Sequence, residues 1–228
     1  MSIPVLYEDE WVCIVDKPEK MQTHSTSIDK MTHNLVDTLK DQMNERYYPV
    51  HRLDRGTSGI LMLAKNKQHV SSLQNALQNL PHKKKYVAIV RGQTGKSGII
   101  VREMEDAYSN KIQFSKSTYL RLEKLEAKIP NRPHPTTFFS FVELEPLTGR
   151  THQLRRHMAK ISRPIVGDME YGDFNLNKFF RAELDDLHLY LHAETLSFWH
   201  PYLKEQMLLS APVPNYFNAF KEYCLHHP

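Results

Sequence analysis

The chain has 228 residues, with 40% hydrophobic and 25% charged side chains and a formal net charge of +4. This composition and length are typical of a folded chain with a substantial core, and they exclude global disorder. No apolar run approaches the roughly 20 residues of a membrane span, and the acidic N-terminus does not resemble a signal peptide. The two cysteines lie at opposite ends of the chain, which excludes a disulfide framework and a cysteine zinc site. We therefore expect a cytoplasmic protein.

Hydrophobic periodicity predicts many strands mixed irregularly with three or four helices, which fits an α+β fold better than a regular βαβ alternation. In the first part of the chain the pattern predicts a strand at 11–15, a helix near 32–45, a strand at 59–64 and a second helix, which is marked by Val70, Leu73, Leu77 and Leu80 and ended by Pro81. The middle of the chain is predicted to form a strand at 86–92, a hairpin or mobile excursion at 94–116, and strands at 118–128 and 137–144. The last part is predicted to form a helix marked by Leu154, Met158 and Ile161, alternating segments at 187–191 and 208–210, and a closing helix at 215–223.

Charge is distributed unevenly along the chain. Residues 50–165 carry 21 Lys and Arg against 8 Asp and Glu, whereas the two flanks together carry 9 against 18. A basic segment attracts a polyanion, because phosphates bind cationic side chains and release counterions on contact. Alternatively, the acidic flanks fold against the middle of the chain and neutralise it. The pattern therefore indicates nucleic-acid binding without deciding it.

Residues 51–59, His-Arg-Leu-Asp-Arg-Gly-Thr-Ser-Gly, place a carboxylate inside a basic loop. Asp54 is the one acid within residues 46–102 and lies between Arg52 and Arg55. Nearby cations favour the ionised form of a carboxylate, which a nucleophile requires. The glycines allow close backbone approach, and the Thr-Ser pair offers hydroxyl donors to a phosphate or ribose. The alternative is a structural aspartate that caps a turn and pairs with a surface arginine.

Two further basic clusters accompany this loop. In residues 150–157, a helix would carry Arg155 and Arg156 on the face opposite its apolar stripe, within reach of an anion; the alternative is a solvated basic face. In residues 83–88, Tyr86 follows three lysines and is suited to lie beneath a base whose phosphate the lysines bind. The alternative for this tyrosine is an ordinary core position.

Taken together, these segments resemble the RluA family of pseudouridine synthases. Four blocks carry the resemblance: 51–59 (HRLDxxTSG), 85–92 (KxYxAxVxG), 149–172 (GRxHQ[IL]RxH followed by P[ILV]xGDxxYG) and 191–201 (LHAxxLxFxHP). They follow the family's order across nearly the whole chain. The resemblance implies a single catalytic domain over 1–228, with a mixed, mainly antiparallel central sheet, flanking helices and a catalytic cleft. It also implies that neither a metal nor an organic cofactor is needed.

The resemblance also implies roles for individual residues. Asp54 would be the catalytic aspartate, Tyr86 the aromatic ring on the target base, and Arg155 the arginine paired with the aspartate. Arg52 would replace the flipped nucleotide in the RNA stack, and Leu191 would line the base pocket. The remaining RNA-binding candidates are basic side chains of the same blocks: Arg55, Lys84, Lys85, Arg150 and Arg156.

Within the family, the resemblance is closest to members that modify uridine 65 in the acceptor–T-stem region of tRNA. Residues 142–149, the doubled arginine at 155–156 and the opening strand that leads to Trp11 carry it. The implied partner is RNA, with tRNA first, and we expect a monomer without an S4 RNA-binding domain ahead of the catalytic domain. Two positions depart from the family pattern: residues 17–20 lack the glycine of KPxG, and Gly56 stands where Pro, Glu or Asp is common.

The residues leave other interpretations open. A ribosomal RNA synthase of the same family has the same motifs. An RNA-binding module without catalysis explains the charge but not the acid in the basic loop. A glycoside hydrolase usually needs a second carboxylate, and Asp168 is an acid that could approach Asp54 in space. The histidines lack an HxxxH pair with a third ligand, so no metal is expected, and His51 and His152 are interpreted as backbone-bonded motif residues.

Overall fold

The first third or so of the sequence and the late block around residue 200 form one compact unit, and the middle of the chain and the C-terminus form another. The computed structural model describes residues 2–24, 34–78, 83–105, 111–129, 136–184 and 187–227. The first unit comprises 1–84 and 192–212, and the second comprises 85–191 and 213–228. Within the described residues there are ten strands and five α-helices. The expected α+β class is confirmed.

The first unit combines a sheet with two helices. Its strands are β1 (Val5–Glu8), β2 (Val12–Lys17), β3 (Tyr48–Pro49), β4 (Ser58–Ala64), β9 (Leu191–His200) and β10 (Glu205–Ser210), and its helices are α1 (Leu35–Met43) and α2 (Val70–Ala76). The strand order is β1-β2-β4-β9-β10, with β3 paired to β4. All pairings are antiparallel except that of β4 with β9.

Burial explains why these segments form strands. All seven residues of β4 are buried, as expected for a continuous apolar run with both faces covered. Ile60 and Met62 of this strand pack with Val12 and Ile14 of β2 in the core of the unit. The β2–β4 register places Lys17 opposite Gly59. The end of β2 is therefore held beside the start of β4, directly after the loop that carries Asp54.

The second unit is a four-stranded antiparallel sheet with three helices. Its strands are β5 (Lys83–Arg91), β6 (Ser97–Glu105), β7 (Ile112–Ala127) and β8 (Thr137–Pro146), and its helices are α3 (Gln153–Lys160), α4 (Phe174–Glu183) and α5 (Asn215–His226). The strand order is β5-β8-β7-β6. Phe139 packs edge to face with Phe180 and Phe220 in its core, and these two rings pack against each other at a tilt. The hairpin predicted within 94–116 is confirmed, because β6 pairs with the first half of β7.

Several elements of the structure differ from those that hydrophobic periodicity predicts. The opening strand that leads to Trp11 was expected without bounds, and the structure places it at β1. Helix α4 was not predicted, since its aromatic residues follow no clear helical spacing. The alternation at 187–191 predicts a strand, but β9 begins only at Leu191. Residues 25–33, Leu80, Pro81 and the predicted break at 131–135 lie outside the described residues. The mainly antiparallel sheet is confirmed, and the single catalytic domain stays a prediction.

Candidate active site

The Asp54 loop joins the end of β3 to the start of β4. Asp54 is half-buried, whereas Arg52 and Arg55 on either side of it are exposed. The Thr57 N–H donates to the Asp54 carbonyl at 3.1 Å and closes a tight turn. The loop therefore presents one partly shielded carboxylate between two cations that solvent or a polyanion can reach.

A buried lysine anchors this loop from beneath. Lys17, at the end of β2, is 0% exposed. Its Nζ donates to the carbonyls of Pro18 and Met21 at 2.8 Å each and to the carbonyl of Arg55 at 3.4 Å. The Arg55 carbonyl belongs to the residue that follows Asp54. One ammonium group thus joins the loop after β2 to the loop that carries the candidate catalytic carboxylate.

Charge as well as geometry couples Lys17 to this loop. Burial lowers the pKa of the Lys17 ammonium to about 7, while the carboxylates of Asp54, Glu19 and Asp16 oppose that shift. Sequence reasoning noted this lysine only as part of the motif that had lost its glycine. A useful signal was available: a lysine two residues after the apolar run 12–15 is a candidate for burial with carbonyl partners.

The missing glycine of the KPxG motif has a structural consequence. The position is filled by Lys20, whose φ of 61° lies in the left-handed region that glycine adopts without strain. The Lys20 carbonyl accepts a hydrogen bond from Arg55 Nε at 3.3 Å. The departure from the family pattern therefore lies in the turn that contacts the Asp54 loop.

The polar residues around Asp54 are structural. His51 Nε2 accepts the Met62 N–H at 3.2 Å, and burial, with Lys84 nearby, lowers the pKa of the imidazole to about 3. Ser58 is buried and its Oγ lies 2.9 Å from His192 Nδ1. Thr57 is also buried. The expectation that the Thr-Ser pair offers hydroxyls to RNA was therefore wrong, because folding places both side chains in the interior.

Gly59 ends the signature at a point where strands approach closely. Its φ is +109°, and a Cβ there would collide with the Ala193 carbonyl of β9. The parallel register pairs these two residues directly. This glycine allows close backbone approach, as expected, and the neighbour is a strand of the same unit.

Strand β5 carries Tyr86 and the preceding lysines. Tyr86 is half-buried and lies opposite Leu144 of β8. Lys85 forms a salt bridge with Glu143 at 2.9 Å. Burial lowers the pKa of the Lys84 ammonium to about 8. Of the three lysines, Lys83 is exposed and the other two are half-buried, so RNA contacts by Lys84 and Lys85 stay predictions.

Arg155 is buried on helix α3 and is held by acids of the following loop. Its side chain is 11% exposed, so the alternative of a solvated basic face was wrong for this residue. Nε and Nη2 donate to the two carboxylate oxygens of Asp168 at 2.8 Å each, and Nη2 also donates to Glu170 at 3.3 Å. The guanidinium lies 5.1 Å from the centre of the Tyr171 ring. Asp168, offered above as a possible second catalytic acid, is thus the partner of Arg155.

Burial would raise the pKa of the Asp168 carboxyl, but Arg155 and the N–H groups of Tyr171 and Glu170 outweigh it and lower that pKa. Asp168 is therefore ionised at neutral pH. This buried pair combines opposite charges with a two-point hydrogen-bonded geometry, which is the strong arrangement for arginine and carboxylate.

The arginines on either side of Arg155 contact the β6–β7 hairpin. Arg150 Nε donates to the Phe114 carbonyl at 3.1 Å, and Arg156 Nη1 donates to the Glu105 carbonyl at 3.0 Å. Both hydrogen bonds are exposed to solvent. The role of these two arginines in binding RNA stays a prediction. Leu191, predicted to line the base pocket, is 3% exposed in the core of the second unit; the pocket role also stays a prediction.

His152 precedes helix α3 in a left-handed conformation with φ 52°. Its Nδ1 lies 3.1 Å from Tyr171 Oη and 3.3 Å from a Glu170 carboxylate oxygen. It contacts side chains of the 168–172 loop instead of the backbone partner that we expected. Within the described ranges, no three His, Cys, Asp or Glu side chains form a group suited to a metal ion, and no helix there is long and apolar enough to cross a bilayer.

Comparison with known proteins agrees with this arrangement of motifs. A tRNA pseudouridine synthase C of Vibrio parahaemolyticus is 36% identical over 224 residues, covering 93% of this chain and 91% of its own length. One of Pasteurella multocida is 37% identical over 230 residues, covering 93% and 92%. The solved structure of human RNA pseudouridylate synthase domain containing 1 has the same fold, with a TM-score of 0.75 at 23% identity over 97% of this chain and 87% of that one.

The match to a protein family spans residues 12–160, which include the Asp54 loop, β5 and helix α3. That span is well over half of the chain. It confirms the resemblance drawn from the four sequence blocks: this chain belongs to the RNA pseudouridylate synthase family.

Proposed function

We propose that this protein is a tRNA pseudouridine synthase that converts uridine to pseudouridine with Asp54 as its catalytic residue. The observation that carries the proposal is the Asp54 loop, a half-buried carboxylate between exposed Arg52 and Arg55, fixed from beneath by Lys17. Such a group is partly shielded from solvent and lies between two cations, which suits a carboxylate that acts on a bound base.

The reaction rearranges atoms within one nucleotide. The bond between N1 and C1′ breaks, the base turns, C5 bonds to C1′, and the C5 proton leaves as N1 gains one. The composition of the RNA is unchanged, so no oxidant, reductant or external nucleophile is consumed. Asp54 assists by attacking C1′, by attacking C6 or by taking the C2′ proton, and all three routes require an ionised carboxylate.

Access to C1′ in paired RNA requires extrusion of the nucleotide, at a cost of a few kcal/mol. We propose that Arg52 fills the vacated position in the stack and that Tyr86 stacks on the released base, which contributes roughly 1–3 kcal/mol. Leu191 lines the pocket for that base. Arg155 supplies the positive charge that stabilises the aspartate in its ionised form.

Basic side chains bind the phosphate backbone of the RNA. They are the cationic side chains of the family blocks, namely Arg55, Lys84, Lys85, Arg150 and Arg156. Phosphate contacts of this kind are independent of base sequence and weaken as salt rises.

We propose uridine 65 of tRNA as the target, a monomer as the active form and the cytoplasm as the location. Support for tRNA comes from the curated relatives, which are named tRNA pseudouridine synthase C.

Mapping of pseudouridine in total RNA from a strain lacking the gene tests the proposal. We expect loss of a single tRNA pseudouridine at position 65 and its restoration by the wild-type gene but not by a D54N gene. Loss of a ribosomal pseudouridine instead would reassign the substrate to rRNA. An unchanged map, together with RNA binding by the purified protein, would support the non-catalytic RNA-binding module.

A further inference from the structure

The loop that carries Asp54 ends in a buried hydrogen bond between two side chains. Ser58, the first residue of β4, is 3% exposed, and His192, the second residue of β9, is 0% exposed. Ser58 Oγ lies 2.9 Å from His192 Nδ1, although the two residues are 134 positions apart in the sequence. Asp54, Ser58 and His192 all belong to the first unit. The candidate catalytic loop and this support therefore lie within one compact unit.

The surroundings of His192 define the direction of this hydrogen bond. Its Nε2 faces the main-chain carbonyl of Ala211 at 3.5 Å. Because a carbonyl oxygen only accepts, Nε2 carries the ring proton and Nδ1 is an acceptor. Burial lowers the pKa of the imidazole to about 4, so the ring is neutral at neutral pH. The Ser58 hydroxyl therefore donates to His192 Nδ1.

A single turn of main chain connects Ser58 to Asp54. The Thr57 N–H donates to the Asp54 carbonyl at 3.1 Å, so residues 54–57 form one closed turn, and Ser58 follows it directly. Thr57 is 2% exposed, and Ser58 is paired with His192 in the parallel ladder of β4 and β9. The Ser58–His192 hydrogen bond thus fixes the point at which the Asp54 turn meets β9.

Stability alone is a weak reason for this buried pair. A neutral hydrogen bond contributes about 1 kcal/mol net, and replacing both partners by apolar groups of the same shape can be nearly neutral. A hydrogen bond differs from apolar packing because it depends on direction as well as distance. Direction matters for a carboxylate that acts on one atom of a nucleotide, since a displacement of about 1 Å can cost about 100-fold in rate.

We propose that His192 is a positioning residue for pseudouridine formation: by accepting the Ser58 hydroxyl, it holds the end of the Asp54 turn against β9 and thereby fixes the direction of the Asp54 carboxylate. The inference rests on the proposed function and deepens it, because it adds to the reaction a residue that acts through the main chain of the loop. His192 takes no part in proton transfer.

Two substitutions of His192 in the full-length protein separate its two contacts. Asparagine places an amide oxygen near the position of Nδ1, so H192N keeps an acceptor for Ser58. Glutamine places an amide nitrogen near the position of Nε2, so H192Q keeps a donor for the Ala211 carbonyl and loses the acceptor for Ser58. S58A removes the hydroxyl from the other side of the hydrogen bond.

We expect S58A and H192Q to lower kcat for tRNA about 20-fold with KM changed less than about threefold, because a displaced reacting group loses rate and keeps its RNA contacts. H192N should keep kcat within about threefold of wild type, since the acceptor is restored. An unchanged kcat in S58A, or equal losses in H192N and H192Q, would overturn the inference.

Ser140 of β8, in the second unit, provides a matched control. It is 0% exposed, and its Oγ donates to the Gly92 carbonyl at 2.9 Å and accepts the Thr94 N–H at 3.0 Å. S140A therefore removes a buried hydroxyl with two partners. We expect its urea midpoint to fall at least as far as that of S58A, with kcat within about twofold of wild type. Losses of kcat that follow the loss of stability across all variants would overturn the positioning role.

A double variant shows whether the effect of His192 passes through Ser58. We expect S58A to have almost no further effect on kcat in an H192Q background, because the two residues form one hydrogen bond and their losses are not additive. Independent, multiplicative losses would contradict the proposal. Should H192Q not fold, S58A decides alone: a kcat loss with little change in KM supports the inference, and an unaltered kcat contradicts it.

Failure of the inference is distinguishable from failure of the proposed function. A wild-type protein that forms no pseudouridine in tRNA would overturn both. Active wild-type protein and inactive D54N, together with an S58A variant of unaltered kcat, would overturn the positioning role of His192 alone.

Discussion

The ammonium of Lys17 lies 3.4 Å from the main-chain carbonyl of Arg55, the residue directly after the candidate catalytic aspartate. The β2–β4 register brings these two segments together, since Lys17 is paired with Gly59 at the start of β4. A buried lysine with carbonyl partners on two loops therefore supports the loop that carries Asp54.

Replacement of this lysine tests its anchoring role. K17M removes the buried donor that three partly buried carbonyl groups share, so we expect the free energy of unfolding to fall by about 2 kcal/mol. Urea denaturation followed by circular dichroism measures it. The exposed Lys20 of the same turn provides the control, and K20M is expected to change stability by less than about 0.5 kcal/mol. Equal stability of K17M and wild type would contradict the anchoring role.

Restoring the glycine of the KPxG motif tests the strain at Lys20. The φ of Lys20 is 61°, a left-handed conformation that costs free energy for every residue except glycine. Glycine in turn loses more conformational entropy when the chain folds. The difference between these two contributions leads us to expect that K20G raises the free energy of unfolding by about 0.5–1 kcal/mol. K20A removes the same side chain but keeps the strain, and it should bring no gain. A K20G protein less stable than K20A would show that the turn is not strained.

Acid sensitivity tests the buried histidine of helix α3. His157 lies between Ser115 Oγ at 2.8 Å and Ser117 Oγ at 3.0 Å, and burial, with Arg102 and Arg156 nearby, lowers the pKa of the imidazole to about 4. Between about pH 6.5 and pH 4 the unfolded chain binds a proton that the folded chain does not. The stability that the neutral imidazole contributes is therefore complete above pH 6.5 and is lost as the pH falls through 4.

The H157Q variant isolates this effect. Relative to H157Q, wild-type protein should lose up to about 3 kcal/mol of unfolding free energy on acidification from pH 7 to pH 4. The exposed His226 gives a matched control, because H226Q should follow the wild-type curve. Parallel pH dependences of H157Q and wild type would refute the assignment.

The sequence was most informative where function depends on a short contiguous segment. The Asp54 loop was recognisable because an acid between two arginines, with a glycine on either side of a Thr-Ser pair, is a local pattern. Helix α3 and strand β5 were found for the same reason, as their apolar spacing is regular. Arg155 and Arg156 were therefore placed on the helix where the structure has them, whereas β5 begins at Lys83 and includes the three lysines that the predicted strand at 86–92 left out.

Partnerships between distant residues were not predictable. Lys17 meets Arg55 because two strands pair in one register, and Arg155 meets Asp168 because a loop with a left-handed glycine turns back onto α3. The burial of Ser58 was missed because its partner, His192, is 134 residues away and the parallel pairing of β4 with β9 has no local signal. The sequence shows the chemical type of each residue, but only tertiary contacts show which of these side chains are exposed to a substrate.

Release of tritium from tRNA labelled at C5 of uridine, measured for wild type and D54N with tRNA affinity determined in parallel, tests the central claim most directly. The account predicts release by wild type, no release above background by D54N, and dissociation constants that agree within about threefold, because the substitution removes the reacting carboxylate and keeps the shape of the loop. Turnover by D54N at a rate near that of wild type would contradict the assignment of Asp54 as the catalytic residue.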